Sequence, residues 1–244
     1  MEQLTVLFMA KETLRLFGIY VLYLIVFAAS LLVMRFTTPV PDYIFRKLLH
    51  IVAFTSIFPL LLCTRYWWAA VAAQLLLLVL VFFALLFFER FSFYSDLFVE
   101  KGRHEVVTSF VMLFGMLAAF LAVFWGGMGD GGKYIVAASV MAWGPGDAAA
   151  AITGKNIGRH KLRGPHIEGT KSVEGTVAMG LTSFLCTVGT LWALSPLTVP
   201  QMLAVSLIIA PIAALTELYT KHGLDTVTVP LAASAVLVGQ YLFF

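Results

Sequence analysis

The 244 residues are 61% hydrophobic and only 12% charged, with a mean hydropathy of +0.94. Ordinary soluble domains carry roughly 25% charged residues, so a water-soluble enzyme is excluded and an all-α integral membrane protein is expected. The net charge of +3 is small and no nucleic acid is expected as a partner; Cys63 and Cys186 both fall inside apolar runs, which argues against a disulfide framework.

The amino-terminal stretch MEQLTVLFMAKETLRLF has acidic residues and no small-residue cleavage site after its first apolar run, so no cleaved signal peptide is expected. Apolar runs of spanning length lie near 16–34, 48–64, 66–88, 106–125, 134–153, 173–194, 200–216 and 226–244. They predict a bundle of about eight transmembrane helices forming a single transmembrane domain over residues 1–244. The fifth contains Gly144-Pro145-Gly146 and is expected to be broken there, just before Asp147.

With eight spans, Lys and Arg sort unevenly. One side holds Arg35, Arg46, Lys47, Arg90, Lys101, Arg103, Lys155, Arg159, Lys161, Arg163, Lys171 and Lys221; the other holds only Lys11, Arg15, Arg65 and Lys133. Basic short loops stay in the cytoplasm, which puts both termini outside. Ten of the thirteen acidic residues also fall at or near the basic side. Such one-sided polarity favours chemistry at the cytoplasmic interface over a pore, which needs polar groups through its depth. The plasma (inner) membrane of a prokaryote, with the site facing the cytoplasm, is the expected location.

Taken in chain order, the first candidate segment is FRKLLHI (45–51) at the start of the second span. On a helix, His50 lies four residues from Arg46 and three from Lys47, one polar cluster able to meet phosphate oxygens. The other reading is two cations snorkelling to the interface beside an incidental histidine. KGRHE (101–105) precedes the fourth span and brings Arg103 and Glu105 to the same interface. GMGDGGK (127–133) fits a phosphate-loop spacing, but Tyr134 stands where Ser or Thr is required, no buried strand precedes it, and it lies on the outer side. It is expected to be a turn. His160 and His166 have no cysteine partners, so no zinc site is expected.

Asp147 is the most informative residue, because an ionisable side chain in a spanning helix is expensive and reads as functional by default. A structural alternative pairs it with Lys or Arg for helix packing. Ala151, Gly154 and Gly158 follow at helical spacing and admit a close backbone or ligand. The loop GKNIGRHKLRGPHIEGTKSVEG (154–175) then supplies Lys155, Arg159, Lys161, Arg163 and Lys171, and ends where a helix amino terminus would suit a phosphate. Gly169 and Gly175 let the backbone come near a ligand. A basic loop facing anionic lipid headgroups is the competing reading. Near the end, TELYTKHGLDTVTVP (216–230) sets Glu217 and Asp225 around a short turn. Asp147, Glu174, Glu217 and Asp225 are thus the carboxylates that could converge on Mg²⁺ or another divalent ion, which needs only one or two of them plus substrate phosphates.

RKLLH (46–50), GDAAAAITGKNIGRHKL (146–162, with the acidic residue at 147), KSVEGT (171–176) and HGLDTVTVP (222–230) together resemble the polyprenol kinase family: dolichol, phytol and farnesol kinases and the CTP-dependent diacylglycerol kinase. The resemblance runs from about residue 44 to 232. One departure stands at Thr226, where the family pattern has Asn. The resemblance implies a helical membrane enzyme that uses CTP and a divalent metal to phosphorylate a lipid alcohol, isoprenoid or diacylglycerol. Asp147, Asp225 and His50 are the expected catalytic residues, with a carboxylate, Asp225 first, or His50 as the proton acceptor. Arg46, Lys47, Gly154, Gly158, Arg159, Lys161, Lys171, Ser172 and Gly175 would hold the nucleotide, and Asp147, Glu174 and Glu217 the metal. CTP, the lipid alcohol and membrane lipids are the expected partners. Two rivals remain at this level: a phosphatidate cytidylyltransferase-like enzyme, whose longer acidic signature is missing here, and a small-solute transporter, for which a broken charged helix would speak.

Overall fold

The computed structural model describes residues 2–91, 105–165, 167, 169–221 and 223–243. Lys101 and Arg103 of the KGRHE segment, together with His166 and His222, lie outside them. The described residues form helices and no strands; a single isolated antiparallel bridge joins Lys161 and Ser172. Eight helical spans are long and apolar enough to cross a bilayer, which makes this a membrane protein. The chain divides into two compact units, Met1–Gly127 and Met128–Phe244.

In the first unit, α1 (Glu2–Thr37) is followed by α2 (Asp42–Thr55) and α3 (Ile57–Leu62), which together make one span. The junction at Ser56 follows from Pro59: its ring clashes with the carbonyl four residues back, at Thr55, where α2 stops. Next come α4 (Trp67–Phe88) and α5 (Glu105–Phe120), the latter prolonged by a π-helical stretch Leu121–Trp125 and a last turn Gly126–Met128. A buried polar relay ties these helices together. Tyr20 donates to Gln74 Oε1 at 2.7 Å, and Gln74 Nε2 donates to the Phe114 carbonyl at 2.9 Å. Each group is thereby satisfied in an apolar interior where an unpaired amide costs a few kcal/mol, roughly 1–3.

The second unit contains α6 (Gly131–Asn156), α7 (Val173–Leu194), α8 (Val199–Tyr219) and α9 (Asp225–Phe243). Helix α6 is its centre: 72% of its most apolar window is buried, against 28%, 39% and 33% for α7, α8 and α9. Within the stretch 127–133 the chain turns at Gly129-Asp130, between helical residues, with Gly129 at φ +65° and Gly132 N–H closing onto the Gly129 carbonyl at 2.9 Å.

The expected break at Gly144-Pro145-Gly146 is corrected by the structure. Helix α6 runs through it without interruption, with Pro145 inside. The missing N–H of Pro145 frees the Met141 carbonyl; at the next residue Ser183 Oγ of α7 donates to the Ala142 carbonyl. The glycines serve contact between helices. A Cβ on Gly146 would stand 2.6 Å from Met179 Sδ and 2.7 Å from Ser183 Oγ, so α7 fits against α6 only because nothing is there. One end of the same interface repeats the device: a Cβ on Gly175 would lie 3.0 Å from the Ala150 carbonyl and 3.4 Å from Gly154 Cα. The small-residue stripe thus admits a backbone.

Candidate functional site

The carboxyl end of α6, the loop 157–172, the first turn of α7, the last turn of α8 and the start of α9 meet at one end of the second unit. Lys171 is the joint. Its ammonium donates to both the carboxylate and the backbone carbonyl of Glu217. Both side chains are nearly buried, at 15% and 9% exposure, so each charge is held mainly by the other. Asp147 and Asp225 lie close enough to Glu217 for their negative charges to act on it. Asp225 accepts a hydrogen bond from Trp143 Nε1 of α6 at 3.3 Å. Three of the four carboxylates picked from sequence therefore share one electrostatic neighbourhood, together with one of the expected phosphate cations.

Glu174 is occupied differently. Its carboxylate accepts from Arg159 N–H at 3.1 Å, from His160 N–H at 3.2 Å and meets His160 Nδ1 at 2.7 Å. The adjacent backbone closes the same junction, Val173 N–H onto the His160 carbonyl and Leu162 N–H onto the Lys171 carbonyl, both at 3.0 Å. Lys161 points back to the end of α6, its ammonium donating to the Gly154 carbonyl at 3.2 Å. A cation on the last carbonyls of a helix complements its dipole. Ser172 caps α7, accepting from Gly175 N–H at 3.2 Å. The first-turn donors at 173 and 175 are thus already used within the chain. Gly158 turns so tightly that a Cβ would collide with the Gly154 carbonyl and Ser172 Oγ. Lys221 donates to the Pro165 carbonyl at 2.8 Å and fastens the basic loop to the α8–α9 turn. That turn needs Gly223, whose φ of +73° suits a residue without a Cβ. The arginine side chains at 159 and 163 belong to exposed residues.

Arg46, Lys47 and His50 lie on α2 of the first unit, on the helix the spacing predicted, with His50 edge-on to Phe54 at 5.9 Å. Two contributors escaped the sequence reading. Trp143 sits in an apolar run and gives no polar signal until its indole N–H is seen against Asp225. His160 carries no metal-ligand spacing, and its role as a partner of Glu174 depends on a loop closure fourteen residues long.

No protein-family model matches the chain, and no solved structure matches it. A phytol kinase of Synechocystis sp. (strain ATCC 27184 / PCC 6803 / Kazusa) is 38% identical over 148 residues. Over that stretch the chain is similar to this phytol kinase. The matched stretch spans 58% of this chain and 58% of the length of that cyanobacterial phytol kinase.

The residues can be tested for a divalent ion. Mg²⁺ takes hard oxygen ligands, completing its shell with water and phosphate oxygens. Asp147, Glu217 and Asp225 supply carboxylate oxygens in one neighbourhood. Among the described residues no group of three or more His, Cys, Asp and Glu side chains is placed to hold an ion; an ion held by one or two of these carboxylates would need further oxygens, such as those of substrate phosphates and water. Glu174, spent on the loop, is not in that neighbourhood's set.

Proposed function

We propose that the chain is a lipid-alcohol kinase that transfers the γ-phosphate of CTP to a membrane-embedded isoprenoid alcohol of the phytol type. The observation that carries this reading is the meeting of the Lys171–Glu217 pair, Asp147 and Asp225 beneath a basic loop at one end of a helical membrane unit. The similarity to a phytol kinase supports it. Phosphoryl transfer asks little covalent chemistry of a protein and much positioning and charge neutralisation, and the groups here are of that kind.

In the proposed reaction the lipid hydroxyl oxygen attacks the γ-phosphorus in line. The bond from that phosphorus to the β–γ bridging oxygen breaks, and CDP leaves with its electron pair. Asp225, placed by Trp143, accepts the hydroxyl proton. Lys171 and the exposed Arg159 neutralise phosphate charge. Asp147 and Glu217 would hold the divalent ion, which when bound supplies positive charge to the phosphate oxygens. The apolar tail stays in the bilayer while the hydroxyl enters the polar end of the second unit. The continuity of α6 removes the broken helix on which a transporter reading leaned.

The experiment is an assay of purified protein in detergent with Mg²⁺, labelled CTP or ATP, and a panel of lipid alcohols. A lipid phosphate formed together with CDP is the expected result. Turnover of phosphatidate with pyrophosphate release would make the protein a cytidylyltransferase instead. In the same assay Asp147→Asn is expected to reduce kcat about 100-fold or more while the protein stays folded in detergent.

A further inference from the structure

The Glu174 carboxylate faces away from ordinary phosphate chemistry and toward its own chain. It collects two consecutive backbone N–H groups, of Arg159 and His160, and the His160 Nδ1. All three close contacts fall on Oε1, while Oε2 takes only a second, longer share of His160 N–H at 3.3 Å, so Oε1 is committed to the loop. Around it the chain is doubly pinned, by Val173 N–H onto the His160 carbonyl and by Leu162 N–H onto the Lys171 carbonyl. Gly158 and Gly154 let the chain leave α6 close to Ser172, with no room for a side chain at Gly158 and little at Gly154. This path delivers residues 159 and 160 to the first turn of α7, and nothing else in the described chain reaches those N–H groups as an acceptor. The exposed Arg159 side chain thus departs from a backbone that Glu174 holds. Left to itself, a loop with Arg159, Lys161, Arg163 and Lys171 would spread by like-charge repulsion and lose its arrangement.

We infer that Glu174 is a positioning residue, a staple that fixes the basic loop so that Arg159 meets the phosphates of the donor nucleotide, and that it is not a metal ligand. The inference rests on the proposed kinase reading for the identity of the nucleotide; the staple itself does not.

The experiment uses the full chain in detergent, with Glu174→Ala and Glu174→Gln beside the unaltered protein. Three quantities are read: trypsin cleavage at Arg159, Lys161 and Arg163, its suppression by added CTP, and the kinetics with CTP and Mg²⁺ varied separately. For Glu174→Ala, loop cleavage is expected to accelerate about 10-fold and the KM for CTP to rise about 10-fold, with kcat changed less than about 3-fold. The Mg²⁺ concentration for half-activation should stay where it was. Glu174→Gln keeps one acceptor oxygen and should show the same changes to a smaller degree. His160→Ala keeps both backbone donors and should leave loop cleavage within about 2-fold of the unaltered protein. Unchanged cleavage in both Glu174 variants overturns the staple. A half-activation by Mg²⁺ displaced about 10-fold, with cleavage unchanged, returns Glu174 to the metal. If no alcohol is phosphorylated, the kinase reading fails, while cleavage and its protection by CTP still decide the role of Glu174.

Discussion

Lys171 and Glu217 show how much a single pair can carry. Two nearly buried charges attract strongly, but each depends on the other for its place in a medium that solvates neither. Lys171→Met therefore strands a carboxylate beside Asp147 and Asp225. It is expected to lower stability by about 3 kcal/mol in denaturant unfolding of the detergent-solubilised protein. Lys171→Met combined with Glu217→Leu should recover most of that loss, because it removes the orphan along with its partner. Equal destabilisation of the single and double variants would show that the pair matters through packing alone. Asp147 was legible in the sequence as an expensive charge within a spanning run, Lys171 as a cation at a helix start and Asp225 as a carboxylate beside a short turn. The division of labour between Glu217 and Glu174 was not. Both are acidic residues near helix ends, and only the folded loop directs one to an ammonium and the other to backbone N–H groups.

At the scale of helices, two prolines behave in opposite ways. Pro59 ends α2 at Thr55, four residues back, whereas Pro145 lies within an unbroken α6. Hydropathy revealed all eight spans, because their length and apolarity are local properties. It could not rank the prolines, since what surrounds Pro145 is tertiary: Met179 and Ser183 of α7, some forty residues away, pack against the bare surface of Gly146. Pro145→Ala is accordingly expected to leave stability unchanged or raise it by up to about 1 kcal/mol, restoring a helix hydrogen bond without altering the packing face. Gly146→Leu should cost about 1–3 kcal/mol by forcing α7 from α6. Thermal unfolding of both variants checks the pair. A destabilised Pro145→Ala beside a tolerated Gly146→Leu would mean that the proline, and not the glycine, organises this interface.

For the whole molecule, the distribution of basic residues predicts sidedness: the loops bearing Lys161 and Lys221 in the cytoplasm, the Thr64-Arg65 turn and both termini outside. A chain lacking its own thiols (Cys63→Ser, Cys186→Ala) and carrying Lys221→Cys should react with a membrane-impermeant thiol reagent only after the cells are opened. Arg65→Cys in the same background should react in intact cells. The reverse pattern would invert the topology and place the candidate site on the outer face.

Helix α1 has a geometric consequence of its own. Its 36 residues at 1.5 Å each extend about 54 Å, against a hydrocarbon core of about 30 Å. Even at a tilt of about 40°, the upper end of what spanning helices adopt, only about 39 Å or 26 residues fit within that core. About ten must emerge. Counted back from Thr37, the limit falls between Lys11 and Glu12, in the charged stretch Lys11–Arg15. The preceding turns, with Leu4 and Leu7 exposed at 74% and 66%, are therefore apolar yet beyond the reach of the acyl chains. Hydrophobic mismatch leaves part of this helix among the lipid headgroups, so its tilt is coupled to the thickness of the bilayer around it.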